Sequence, residues 1–200
     1  MTSKKPHRPA PKQLRMQRCY LIFCEGETEE TYVHLLQRLY HAHIRIITQV
    51  EGQSITPNLV RQRKEALRLK ANEPIETFLM YDMDVAEVNK KLFNCDATPL
   101  LSNPSVELWF LLHSKQQRSA LSTEDAIREL KKSDPAWRNY EKGDFTPTQK
   151  ILLWENRLEA VKKAKELSQY QNPSSQIFIL IDKLEKLHDC PESSPEPMPV

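Results

Sequence analysis

The chain has 200 residues, 39% of them hydrophobic and 28% charged, with a net charge of +2. This composition suits one soluble globular domain that buries a core and has some residues left for tails. It excludes a membrane-spanning helix, because no uncharged run approaches the roughly 18–20 residues one needs. Residues 1–18 hold six Lys/Arg and no acid, so the remainder is slightly acidic and any nucleic-acid patch on it must be local.

Residues 1–17 are basic, proline-broken and without apolar periodicity, and read as a disordered tail. Lys4, Lys5, Arg8, Lys12 and Arg15 would let that tail lie along nucleic-acid phosphates; a merely solvated tail is the alternative. No apolar stretch of a signal peptide is present, and Pro6, Pro9 and Pro11 argue against a transit helix. Residues 19–24 are a short apolar, aromatic-containing run that reads as a buried strand. It ends in Glu25 and Gly26, the latter permitting a sharp turn. Tyr32, Leu35, Leu36 and Leu39 then fall at helical spacing on one face. A β-branched strand over 44–50 and a helix from Thr56-Pro57 to residue 71 follow. Residues 75–81 form a third strand ending in Asp82-Met83-Asp84, a helix covers 85–93, and a fourth strand 97–101. This alternation predicts an α/β fold with a mostly parallel sheet flanked by helices.

The second half changes character. Ser102-Asn103-Pro104 caps an apolar helix over 106–113, a polar helix covers 122–132, and 133–146 is irregular. Ile151, Trp154, Leu158 and Val161 predict one long amphipathic helix over 148–168. A last helix runs from Ile177 through Leu187, although Ile177 to Ile181 alone also suits a strand. The resulting division is a tail (1–17), an α/β core (18–115), a helical C-terminal elaboration packed on it (116–188) and a disordered proline-rich tail (189–200). Cys19, Cys24, Cys95 and Cys190 have no CxxC or zinc spacing, which points away from a sulfur-ligated metal and toward a reducing, cytoplasmic setting.

Three groups of acids interrupt apolar segments. Glu25 ends the first strand with Glu27 and Glu29 close behind, Asp82 and Asp84 end the third, and Glu107 sits alone in the apolar helix. A lone carboxylate there is costly to bury unless a cation or several donors meet it. If the first and third strands are neighbours, Glu25, Asp82 and Asp84 converge at the carboxyl edge, where open α/β sheets bind ligands. Mg²⁺ or Mn²⁺ suits such oxygen ligands and commonly bridges them to phosphate. Each group also has a structural reading: Asp84 as a helix cap, Glu27 and Glu30 as partners of a helix dipole, Glu107 as half-exposed or paired with an arginine. His34, His41, His43 and His113 show no ligand spacing and read as surface or core residues.

Cys24-Glu25-Gly26-Glu27-Thr28-Glu29 resembles the first motif of Toprim-type proteins, especially the OLD-like nuclease branch, and Tyr81-Asp82-Met83-Asp84 resembles the second. The stretch from Ser102 to His113 closely resembles the signature of RloB-like proteins, which occur in bacterial restriction-modification and phage-defence loci; Tyr140-Glu141-Lys142 and Asn172-Pro173 resemble later positions. The resemblance covers residues 18–188 and implies a Toprim-like core and a metal-dependent nuclease. It implies an acid–base or metal role for Glu25 and cation binding by Asp82 and Asp84, with Glu29 joining by similarity to the OLD-like branch. The metal set expected here is Glu25, Glu29, Asp82, Asp84 and Glu107, with Glu25 and Asp82 also catalytic. Glu87 competes with Glu107 for the last ligand position.

The leading expectation is therefore a Mg²⁺- or Mn²⁺-dependent endonuclease on DNA or RNA in host defence, with Lys142 as the catalytic cation against phosphate. Lys150 and Arg128 are the other candidates for that role. An ATPase or other defence protein encoded nearby is the expected partner, and a homo-oligomer is allowed. The competing expectation is a Toprim-like module that binds nucleic acid or a protein without cleaving it. A haloacid-dehalogenase-type phosphatase is weaker, because Glu25 stands where its nucleophilic aspartate is expected and three glycines supply no phosphate loop.

Overall fold

β1 (Arg18–Cys24) is the hub of a four-stranded parallel sheet in the computed structural model, which describes residues 18–40, 44–71 and 74–188. It pairs on one side with β2 (Ile44–Val50) and on the other with β3 (Ile75–Met80), which in turn pairs with the short β4 (Thr98–Pro99). The crossovers are α1 (Glu27–Tyr40), α2 (Pro57–Ala71) and α3 (Ala86–Phe93). This is the mostly parallel α/β sheet flanked by helices that the strand–helix alternation predicts. The two tails, with Lys4, Lys5, Arg8, Lys12, Arg15 and Cys190, lie outside the described residues.

The period-two geometry of β1 explains why both sheet faces are covered. Tyr20, Ile22 and Cys24 pack into one apolar cluster, and Cys19, Leu21 and Phe23 into another with Val60 of α2 and Val88 and Leu92 of α3. The first cluster runs on without a break through α1 and α4 (Val106–Ser114) into the C-terminal helices. Residues Val106 to His113 of α4 are all buried, as expected of a helix that is apolar all round. Trp109 is fully buried and its indole N–H donates to the Tyr32 hydroxyl (2.8 Å). Trp109→Ala is expected to destabilise the protein by about 3–5 kcal/mol, read as a lower urea midpoint at unchanged slope.

Two expectations for the second half, and one for Asp84, need correction. Ser102-Asn103 does not cap α4; it forms a two-residue strand, β5 (Ser102–Asn103), antiparallel to β6 (Ser174–Ser175), and Ser105 occupies the cap position. The predicted helix over 148–168 is two helices, α6 (Pro147–Glu155) and α7 (Arg157–Lys165), broken at Asn156. The break changes the buried stripe: Leu153, Ala160, Val161 and Ala164 are buried, whereas Ile151 and Leu158 are more than half exposed. It also turns Arg157 inward, where the guanidinium lies 3.6 Å from the Trp154 ring and bonds Glu185 (2.6 Å) of α8 (Phe178–His188). Asp84 does not cap α3, whose cap residue is Val85 without a side-chain bond. Of the two readings for 177–181, the helix is the one observed. The polar helix is α5 (Thr123–Ser133).

Candidate active site

β1 and β3 are neighbours in register, with Cys24 opposite Met80, so Glu25 and Asp82 leave the sheet at the same carboxyl edge. The Glu25 amide continues the ladder to Met80 O (3.1 Å), and the Glu25 carboxylate accepts from the Asp82 amide (2.8 Å). Asp82 in turn accepts from the amide of Val106, the first residue of α4 (2.8 Å). An amide at a helix start lacks an intrahelical partner, and here a carboxylate from another strand supplies one at the positive end of the dipole. The chain reaches that position because Ser102 runs beside the extension of β3: its amide donates to Tyr81 O (3.0 Å) and its carbonyl accepts from Met83 N (2.8 Å).

Glu29 lies in the first turn of α1 and folds back to accept from the Gly26 amide (3.0 Å). A side chain at Gly26 would place its Cβ 3.4 Å from that carboxylate, the near limit of ordinary contact. The glycine thus serves close approach rather than an unusual backbone angle.

A cleft of about 370 Å³ opens at this edge, lined by Glu25, Glu29, Asp82 and Asp84 together with Lys142 and Gly143. Lys142 comes from the irregular segment between α5 and α6. That segment is pinned to α1 by both backbone groups of Gly143: its N–H donates to Thr28 Oγ1 (3.0 Å), and its carbonyl accepts from Thr31 Oγ1 (2.7 Å). Gly143 has φ +103, a region that side chains rarely adopt. Gly143→Ala is expected to cost about 1–3 kcal/mol in backbone strain, seen as a lower melting temperature, and to loosen the hold on Lys142.

The electrostatics follow from burial. The carboxyl of Asp82 is pushed well above the usual range by loss of water, then by the charges of Glu29, Glu25 and Glu107, with Lys142 opposing. Glu29 is raised by burial and by Glu25 and Glu107, although amide bonds oppose the shift. Glu25 is raised by burial and, less strongly, by Asp84, against the Asp82 amide bond and Lys142. The Lys142 ammonium is lowered by partial burial, but Glu107, Asp82 and Glu29 outweigh this and hold it protonated. Burial and the charges of Glu29 and Glu30 keep the nearby Cys24 as a neutral thiol, so the cleft has no sulfur nucleophile from that position.

Glu107 does not line the cleft. It is fully buried behind it, where Oε2 accepts from Ser105 Oγ (2.7 Å) and Oε1 meets the Tyr140 hydroxyl (3.2 Å) and Lys142 Nζ (3.2 Å). Glu87 lies on the exposed side of α3 and pairs with Lys90 (2.8 Å). Lys150 lines a neighbouring cleft and faces Asp144 (3.5 Å), and Arg128 pairs with Asp125 on α5. Glu30 accepts from Thr48 Oγ1 (2.6 Å). His113 is buried and donates from Nδ1 to Trp109 O (2.9 Å), its pKa lowered by burial to about 4. Sequence reasoning misses Thr28 and Gly143, because a threonine and a loop glycine carry no spacing signal for a contact made so far along the chain, and it misses Ser105, whose partner Glu107 is only two residues on.

Residues 20–184 match a family described as RloB-like protein. The chain belongs to the RloB-like family. All the cleft residues fall within the matched range, so the acidic edge and the Lys142 segment belong to the part of the chain that defines membership. No curated protein and no solved structure matches the chain. Among the described residues no three carboxylate, histidine or cysteine side chains already stand around one point as a metal cage, and no helix is long and apolar enough to cross a membrane.

Proposed function

We propose that this RloB-like protein hydrolyses phosphodiester bonds in nucleic acid at the Glu25–Asp82 cleft, with Mg²⁺ or Mn²⁺ as cofactor, and that it acts in phage defence. One observation carries the reading. Glu25, Glu29 and Asp82 are crowded at a sheet edge that raises all three pKa values, with Lys142 as their opposing charge within the cleft. Such crowding is unfavourable to the fold, and strongly perturbed groups in a cleft mark functional sites.

The donor chemistry fits a hard divalent cation, which takes carboxylate oxygens and would neutralise this repulsion. Glu25, Glu29, Asp82 and Asp84 would hold it, after side-chain adjustment, since Glu25 and Asp82 each have one oxygen on a backbone amide and a second left for a ligand. A bound cation supplies charge neutralisation at the scissile phosphate and a more acidic water. The chain's own contributions are then distinct. Lys142 meets phosphate charge at the rim, the amides of Asp82 and Val106 orient the two central carboxylates, and the open oxygen of Glu25 serves either the cation or a proton from water.

The test is cleavage of plasmid DNA and of tRNA by the purified protein with Mg²⁺, Mn²⁺ or chelator, alongside Glu25→Gln. Divalent-dependent cleavage that Glu25→Gln weakens is the expected result; chelator-insensitive cleavage, or none on either substrate, would remove the reading. A non-catalytic nucleic-acid-binding module is the second reading, favoured by the lack of a preformed three-ligand cage among the described residues. It is separated by calorimetry, because binding without cleavage requires no Mn²⁺ at Asp82. An ATPase encoded nearby remains the proposed partner.

A further inference from the structure

We propose that Glu107 is the positioning residue for Lys142, holding its ammonium at the rim of the cleft, rather than a ligand for the cation. The proposal rests on the reading of the cleft as a phosphodiester site and assigns Glu107, Ser105 and Tyr140 a part in it. A carboxylate removed from water must be met by donors and positive charge. Glu107 is 0% exposed, and its oxygens are met by two hydroxyls, from Ser105 and Tyr140, and by one ammonium, from Lys142. Lys142 is therefore the charge partner of a buried anion, and it cannot leave without stranding that charge.

The lysine needs such an anchor. Its side chain is 54% exposed and stands in residues 138–146, which form no helix or strand. Tyr140 and Lys142 sit two residues apart and share the same Glu107 oxygen, so one carboxylate orders both ends of the turn. Where it stands, the ammonium is also attracted by Asp82 and Glu29 of the cleft, and without Glu107 it would move toward them. Glu107 competes with those two carboxylates and keeps Lys142 at the rim, which leaves the interior to a cation. The arrangement thus yields two separate positive positions: a fixed ammonium at the rim, and a space among carboxylates behind it.

The experiment compares wild type, Glu107→Gln, Lys142→Met and the double variant, all stripped of metal. Three measurements are made: Mn²⁺ binding by calorimetry, anisotropy of fluorescein-labelled single-stranded DNA and RNA oligonucleotides in chelator at several salt concentrations, and thermal melting. Glu107→Gln and Lys142→Met are each expected to weaken oligonucleotide binding by on the order of tenfold and to lower the salt slope by about one, with no further loss in the double variant. Mn²⁺ binding is expected to fall in Glu107→Gln, where Lys142 is drawn into the cleft, and to return in the double variant. Loss of Mn²⁺ binding that the double variant does not restore would make Glu107 a ligand and overturn the proposal. So would wild-type oligonucleotide affinity in Glu107→Gln alongside a loss in Lys142→Met. Should the wild type bind no Mn²⁺, the cation reading of the cleft fails, yet the oligonucleotide comparison still decides this one. Should it bind no oligonucleotide, melting decides: Lys142→Met lowers the wild-type melting temperature but not that of Glu107→Gln, and equal lowering in both overturns the proposal. Tyr140→Phe, which removes one hydroxyl from the Glu107 shell, is the conservative check and is expected to weaken oligonucleotide binding in the same direction by less.

Discussion

Asp82→Asn is expected to lower divalent-dependent cleavage by roughly 100-fold or more while raising the melting temperature of the metal-free protein. The two effects have one cause. Asp82 is held against Glu25, Glu29 and Glu107, and burial first, then these charges, push its carboxyl well above the usual range. The ionised form therefore opposes folding when no cation is present. Asparagine keeps an acceptor for the Val106 amide, so α4 retains its tertiary cap, but it removes the charge a divalent ion needs. Stability gained where function is lost is the pattern of a site whose electrostatics serve binding rather than the fold. Parallel melts and cleavage assays check it; a variant that is less stable and still active would show that Asp82 serves the fold instead.

The second large effect is expected from Mn²⁺ added to the wild type. At about a hundred times its dissociation constant, a ligand specific for the native state adds about 2.7 kcal/mol of stability. The increment should grow with pH. An acid whose folded pKa lies above its unfolded value contributes stability that is complete below the unfolded pKa, near 4, and is lost as pH rises through the raised folded pKa. Glu25, Glu29 and Asp82 all behave in this way, so the metal-free site weakens the fold more as pH rises, while a cation has fewer protons to displace. His113 acts in the opposite sense: its folded pKa is lowered to about 4, so its contribution is present above about 6.5 and is lost as pH falls toward that lowered value. It is common to both arms and cancels in the difference. Melts with and without Mn²⁺ between pH 5 and 8 measure the increment. An increment that is absent, or flat across that range, would detach the carboxylates from the cation.

Read from the residues alone, the layout of the sheet was accessible because local signals were strong. The apolar run over residues 19–24, the β-branched run at 44–50 and the Asp82-Met83-Asp84 terminus each carry their strand character within a few residues, and Thr56-Pro57 announces α2. From these it followed that Glu25 and Asp82 share an edge, provided β1 and β3 are neighbours, as they are. The failures came where a local pattern was overridden by tertiary contacts. Ile151, Trp154, Leu158 and Val161 have helical spacing, yet the helix breaks at Asn156, where Arg157 turns inward to Glu185 and Trp154 while Ile151 and Leu158 are exposed. Ser102-Asn103 pairs with residues more than seventy positions away, which no window of sequence contains.

The acidic edge introduced by Cys24-Glu25-Gly26 was therefore determined by the sequence in its main lines: which carboxylates end which strands, and on which side of the sheet. Only the tertiary structure decided which groups face one another. It set Glu107 behind the cleft with its oxygens bonded, placed Lys142 in the cleft lining, and paired the two directly, with Tyr140 on the same carboxylate oxygen. The physical reason is range. Strand ends are specified by neighbours along the chain, whereas the Lys142–Glu107 pair is specified by two segments that meet only after the core between them has packed.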